Sequence, residues 1–340
     1  FPPAMLFHKS RTVKKILLVT NMYPCDNAST YGIFVKEQKD AICKEYSNIH
    51  YTVAFIDGRH NKSEYIKSIF KIRKLIKEQD FDLIHVHYGF SGLFLLAGKL
   101  PKKIPILITL HGGDIQVEQG KNIQVWFTKQ ILKKANAAIT LNKRMDEIVQ
   151  KYIPNTQIIP CSVNTDIFTP SPTLRTINLA KELHIIFPSD KNRYVKNYPL
   201  FEETISILKN KYHIKCRTSE VKNMSRIEVA TLYQNADLMI MTSISEGSPQ
   251  VVKEAMACNL PVISTNVGDV AHLLENVKNS AVANKMDAEE LAFLAYQSLN
   301  NQISGIDGRE KIFQMLLNDQ SIAQKIYNIY LSLLSNHQIR

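Results

Sequence analysis

The chain of 340 residues is long for one core and comfortable for two domains of ordinary size. Its 45% hydrophobic and 21% charged residues are those of a globular protein, and no apolar run approaches the roughly 20 residues that a membrane-spanning helix needs. The formal charge of +11 is uneven: residues 1 to 170 hold 24 Lys and Arg against 14 Asp and Glu, while residues 171 to 340 hold 18 against 17.

A basic N-terminal half suits an anionic partner, such as an acidic membrane surface or a phosphorylated substrate. Nucleic acid is disfavoured, because no basic motif interleaved with aromatic residues accompanies the charge. The opening FPPAMLFHKSRTVKK lacks the charged, apolar and small-residue order of a secretion signal, which points to a cytoplasmic chain. Cys25, Cys43, Cys161, Cys216 and Cys258 are odd in number, scattered and without a C-x-x-C pair. Reduced thiols are therefore expected, not a disulfide framework or a zinc site.

In chain order, KKILLVT reads as a strand, FVKEQKDAICKEY as a helix, YTVAFID as a strand and EYIKSIFKIRKLIKEQ as a helix. The same rhythm continues through DLIHVHYG, SGLFLLAGK, IPILITLHGGD, NIQVWFTKQILKKA, AAITLN, RMDEIVQKY and TQIIPC. Such alternation predicts a mostly parallel sheet with helices on both faces. The turn-rich NTDIFTPSPTLR, at 164 to 175, breaks it. LHIIFPS then opens a second set, followed by YPLFEETISILKN, IKCRT, SRIEVATLYQ with Ser225 and Glu228 at capping-box spacing, ADLMIMTS and PVISTN. The prediction is α/β: two doubly wound Rossmann-like domains, 1–170 and 171–320, facing a central cleft where a ligand would meet the C-terminal ends of the strands. A final helical segment, 321–340, is expected to pack back across them.

Between strand ADLMIMTS and the next helix stands SEGSPQVVKEAMACNLPV. Ser248 is the expected N-cap and Pro249 the first helical residue. A helix beginning just past a strand aims its free N–H groups and positive dipole end into the cleft, a setting for phosphate. Glu246 then lies at the mouth of that anion hole and Glu254 about one and a half turns along the helix. Carboxylates beside an anion would repel it unless they hold hydroxyls, so the pattern suits a nucleotide-sugar.

The stretch resembles the donor-binding signature of the retaining GT-B glycosyltransferases of the group 1, family four class. There two glutamates with seven residues between them precede Ala-Met-Ala and a Pro-Val-Ile strand, as Glu246, Glu254, AMA and PVIST do here. ILLVTNMYP…YGIFVKEQ, DLIHVHYG, LITLHGGD and IIPCSVNTDIFTP are similar to further landmarks in the family's order.

The resemblance implies that Glu246 contacts the donor sugar and Glu254 holds the ribose, with backbone groups of Gly247, Ser248, Pro249, Gln250 and Val251 lining the sugar and diphosphate. It places His111 beside the transferred sugar; the alternative is that HGGD simply closes a tight turn. His85 and His87, alternating on one strand, would make metal ligands with His111 only if a carboxylate or Cys pattern joined them, and none does. The family's Arg and Lys on the diphosphate fall in FPSDKNRYVKN. Lys196 is the Lys, and Arg193 is preferred over Lys191 because a planar fork matches phosphate oxygens. Gly32 stands where the family has a glycine-rich loop under the phosphates.

The reaction that the resemblance implies is front-face transfer with retention, in which the departing phosphate oxygen helps to deprotonate the acceptor. No cofactor or divalent metal is expected, since no Asp-x-Asp pair is positioned to hold one. The acceptor is expected to be a glycan or lipid-linked glycan of cell-surface polysaccharide synthesis, reached by a peripheral enzyme at the inner face of the membrane. Lysines among Ile66, Ile69, Phe70, Ile72, Leu75 and Ile76 fit a helix against an anionic surface, or else one packed on its own sheet. The rival readings are a nucleotide-sugar 2-epimerase, which would change its donor without an acceptor, and a non-catalytic sugar-nucleotide-binding subunit. A dehydrogenase lacks its G-x-G-x-x-G.

Overall fold

The computed structural model describes residues 13–26, 28, 30–59, 61–116, 122–173, 177–301 and 307–338. The opening stretch to residue 12, the end of the turn-rich joint at 174–176 and the last two residues of the C-terminal segment lie outside the described residues.

The N-terminal half runs β1 (Lys14–Thr20), α1 (Ile33–Glu45), β2 (Ile49–Phe55), α2 (Ser63–Glu78), β3 (Leu83–His87), β4 (Ile106–Thr109), α3 (Asn122–Leu132), β5 (Ala137–Thr140), α4 (Lys143–Val149) and β6 (Thr156–Ile158). All pairings are parallel, in the order β2-β1-β3-β4-β5-β6. The apolar runs explain the choice. Ile16, Leu17, Leu18 and Val19 are all buried in succession, as a strand covered on both faces requires. The segment SGLFLLAGK adds neither strand nor α-helix: Gly89–Leu95 winds into a 3-10 turn on which α3 packs.

The second half runs β7 (Leu183–Phe187), α5 (Tyr198–Asn210), β8 (Cys216–Glu220), α6 (Arg226–Gln234), β9 (Leu238–Met241), α7 (Gln250–Ala257), β10 (Val262–Thr265), α8 (Val270–Leu274), β11 (Ala281–Ala283), α9 (Ala288–Asn300), α10 (Gly308–Gln314) and α11 (Asp319–Gln338). Its parallel sheet has the order β11-β10-β9-β7-β8. The capping box at the head of α6 forms, with Ser225 and Glu228 satisfying each other's backbone N–H groups.

Helix α11 ties the halves together. Tyr327 stacks on Tyr46 at 3.7 Å between ring centroids, and the Tyr330 hydroxyl meets Tyr51 Oη at 2.9 Å and His85 Nδ1 at 2.7 Å. One apolar cluster joins Ile16 and Ile42 through Ile322 and Ile326 to Met256 and Val262. Each sheet has one place where strand order reverses, between β1 and β3 and between β7 and β9. In open parallel sheets the crevice at that reversal is where ligands sit.

Candidate functional site

At the second sheet's reversal, the loops after β7 and β9 are stitched together. Thr242 Oγ1 lies 3.0 Å from the carbonyls of both Lys196 and Asn197, and the Ile244 N–H donates to the Val195 carbonyl at 2.8 Å. This brings Lys196 onto Glu246: the ammonium donates to Oε1, which also accepts from Ser243 Oγ at 2.7 Å. Arg193, three residues earlier, is exposed on the loop, and Lys191 lies 6.0 Å over the Tyr198 ring. Neither is drawn onto Glu246.

Helix α7 begins at Gln250, one residue later than expected, and Ser248 is not its cap. Pro249 holds the N-cap position in extended backbone, with no side-chain cap bond. Proline's fixed φ suits either position, so its rule of thumb does not decide between them. The Ser248 hydroxyl is engaged instead by Lys253 Nζ at 3.2 Å and by Asp269. Lys253 is fully buried; its ammonium also donates to the Cys161 carbonyl at 2.6 Å, and burial lowers its pKa. Gln250 Nε2 donates to the Ser162 carbonyl. The start of α7 is thus anchored to the chain's crossing between domains. In the first turn of α7 the Val252 N–H donates to the Pro249 carbonyl at 3.3 Å, the N–H groups of Gln250 and Val251 precede any intrahelical acceptor, and Val251 is half-buried. Glu254 is 2% exposed and pairs with Arg226 Nη1 at 2.8 Å.

The facing site, at the ends of β3 and β4, is made of uncharged imidazoles. Gln38 Nε2 lies 3.3 Å from His87 Nε2, and His87 Nδ1 lies 3.1 Å from His111 Nε2. An amide N–H donating to His87 Nε2 leaves that ring's proton on Nδ1, where it serves His111 Nε2. His111 then carries its own proton on Nδ1. Burial drives the pKa of His85 down to about 3 and holds those of His87 and His111 below the ordinary range. The three rings therefore hydrogen-bond as neutral groups, and among the described residues no cluster of His, Cys, Asp or Glu is arranged around a metal position. Asp114 orients the HGGD turn by accepting from the His111 N–H at 3.0 Å and the Gly89 N–H at 2.9 Å, and burial raises its pKa to about 6.

Gly32 has φ 63°, and a Cβ there would come within 2.3 Å of the Met22 carbonyl carbon. Glycine is demanded by this close approach of the loop after β1, which also seats Phe34 4.9 Å from the His111 ring. Across the cleft, Asn142 Nδ2 donates to the Gly247 carbonyl at 2.7 Å. The backbone of Gly112 lies against that of Gly247, so the HGGD turn and the loop carrying Glu246 meet through their main chains.

Sequence reasoning missed Lys253, Arg226, Glu37, Asn142 and Asp269. Only Lys253 left a signal, as a lone cation in the buried run VVKEAMA.

Two family models match in succession: Glycosyltransferase Family 4 over residues 31–167 and Glycosyl transferases group 1 over residues 201–312. An uncharacterised glycosyltransferase of Methanocaldococcus jannaschii is 27% identical over 261 residues, covering 70% of this chain and 71% of that one. A putative teichuronic acid biosynthesis glycosyltransferase of Bacillus subtilis is 28% identical over 234 residues, covering 59% of this chain and 58% of that one. Among solved structures, Anabaena HepE in complex with UDP and glucose superposes with a TM-score of 0.71 at 13% identity, over 94% of this chain and all of that one. With one model on each sheet and a shared two-domain architecture, the protein belongs to the group 1 glycosyltransferases of GT-B fold.

Proposed function

We propose that this glycosyltransferase moves a hexosyl group from a nucleotide-sugar to a glycan or lipid-linked acceptor in polysaccharide synthesis, with retention and without a divalent metal. The observation that carries it is the pairing of Lys196 with Glu246 just ahead of α7, together with the approach of the His111–Gly112 backbone to Gly247, the next residue after Glu246. In the family's arrangement the diphosphate lies on the N-terminus of α7 with Lys196 and Arg193. A diphosphate is a stronger attractor for an ammonium than one carboxylate. Donor binding would therefore draw Lys196 from Glu246 and free Oε1 for a sugar hydroxyl. Glu254 would take the ribose hydroxyls, and backbone groups from Gly247 to Val251 would line the sugar and phosphates. Neutral His111 has its Nδ1 proton available to a sugar hydroxyl. Lys196, Arg193 and the helix dipole would stabilise the leaving diphosphate, whose oxygen takes the acceptor proton.

A UDP-sugar is the first donor to try, since HepE was solved with UDP and glucose. The teichuronic acid relative supports a polysaccharide acceptor. A peripheral approach to lipid has a surface to support it. On α2, Ile72 and Ile76 pack inward while Ile66 and Phe70 are 63% and 72% exposed beside Lys67, Lys71 and Lys74. Ile123 and Trp126 of α3 are also exposed, and the ring series Tyr65, Phe90, Phe127 and Trp126 joins the two helices. No helix among the described residues is long and apolar enough to cross a membrane.

Thermal shift across UDP-, GDP- and ADP-sugars should single out one donor. NMR of the product should then show the donor's anomeric configuration, with activity surviving chelator. An inverted product or chelator-abolished transfer would overturn the mechanism, and donor epimerised without acceptor would overturn the activity.

A further inference from the structure

Arg226, the first residue of α6, spans the two domains. Its Nε and Nη2 meet Glu37 of α1 at 2.8 and 3.2 Å, and its Nη1 meets Glu254 of α7 at 2.8 Å. The guanidinium lies 4.6 Å from the centre of the Phe168 ring, on the crossing between domains. Its side chain is 16% exposed, against 13% for Glu37 and 2% for Glu254. One planar cation, with a two-toothed grip on one domain's carboxylate and a single contact on the other's, is partly shielded from water.

Without Arg226, Glu37 and Glu254 would face each other uncompensated; burial, with a smaller push from Glu254, already raises the Glu37 pKa. Asp319 at the head of α11 adds a further acidic group nearby, hydrogen-bonded to Ser162. The ion pair of Arg226 with Glu254 Oε1 holds one end of that carboxylate, so the direction of its other oxygen is set with it. The same side chain fixes where that oxygen points and, through Glu37, how the N-terminal domain stands relative to it.

We propose that Arg226 is the positioning residue for the nucleotide's ribose, holding Glu254 in its gripping orientation and linking that grip to cleft closure through Glu37. It rests on the reading that Glu254 takes the ribose hydroxyls. Arg226 itself touches neither sugar nor phosphate.

The test uses the full chain and calorimetric affinities for whichever of UDP, GDP and ADP raises its melting temperature most, and for the 2′,3′-dideoxy form of the same diphosphate. The wild type should prefer the ribo form about tenfold or more, the scale of one lost hydrogen bond to a charged group. Arg226→Gln should weaken the ribo form about tenfold and leave the dideoxy form nearly unchanged, bringing the ratio close to one. A purely structural role would weaken both alike. Arg226→Lys keeps a charge but cannot span both carboxylates, so it should lose most of the preference and serves if the Gln variant does not fold. Glu37→Gln leaves Arg226 on Glu254 and should reduce the preference about threefold, less than either Arg226 change. A preference retained in both Arg226 variants overturns the proposal while leaving Glu254's role intact. A wild type without preference, or a Glu254→Ala variant that keeps it, overturns the ribose reading and the proposal with it.

Discussion

The two strand reversals are built alike but furnished in opposite ways. The N-terminal half has the large positive charge, yet its reversal is lined by neutral imidazoles joined to Gln38 and Tyr330. The C-terminal half is almost neutral overall, yet its site holds ion pairs of Lys196 with Glu246 and Arg226 with Glu254, and a fully buried Lys253. Net charge therefore reports the surface of a domain and says little about its cleft. A charged leaving group belongs with preorganised ions, whereas an uncharged sugar needs oriented donors that do not titrate.

The largest effects should come from the charged side. Lys196→Ala and Glu246→Ala should each lower kcat by about 10²–10³-fold, as losing one preorganised group at a developing charge does. If Lys196 acts on the diphosphate as well as on Glu246, the double variant should be slower than either single one. Glu246→Ala should leave nucleoside diphosphate affinity almost intact, whereas Glu254→Ala should weaken it about tenfold. Equal affinity losses in the two variants would erase the division of labour between the carboxylates.

How much of this contrast the sequence disclosed depends on distance along the chain. Alternating apolar runs and turns were enough for both sheets, because each element's pattern is local. Glu246 and Glu254 were legible from one motif. The histidine cluster was half legible: His85 and His87 share a face by strand periodicity, but their meeting with His111 depends on β3 pairing with β4 in a register that sets His87 opposite Thr109. Arg226 was hidden because the capping box around it already explained its neighbours, and Glu37 lies 189 positions away. Interdomain contacts leave no period to read.

The neutral side predicts a pH effect of intermediate size. His85 titrates near 6.5 in the unfolded chain but near 3 when folded, so it supplies stability present above pH 6.5 and lost as pH falls toward 3. Its share should amount to about 2 kcal/mol between pH 6.5 and 5. Buried Asp114, Glu37, Asp269 and Asp319, whose pKa values are raised, oppose this, because their folded forms keep protons that the unfolded chain releases. A difference measurement isolates the histidine. Denaturant titrations of His85→Asn at pH 7 and 5 should show a stability loss smaller than the wild type's by about that amount. Identical losses would mean that the ring is not held neutral.

The smallest effect should lie on the surface that carries the N-terminal charge. Lys67 and Lys71 both reach Glu64, at 2.8 and 3.5 Å, and Lys74 approaches Glu78 at 3.7 Å, so part of the helix's charge is already answered at home. What remains for an anionic bilayer is worth about 1 kcal/mol per free cation near the surface, and salt screens it within about 10 Å at 0.1 M. Ile66 and Phe70 would add apolar insertion that salt does not screen. Replacing both by Ser should leave folding stability within about 0.5 kcal/mol, since each is exposed. Co-sedimentation with phosphatidylserine vesicles at low salt should nevertheless fall severalfold, and what binding persists should be more easily released by salt. Equal binding of variant and wild type would assign any attraction to charge alone. No binding by either, together with efficient transfer to a small water-soluble acceptor, would detach the basic surface from the acceptor altogether.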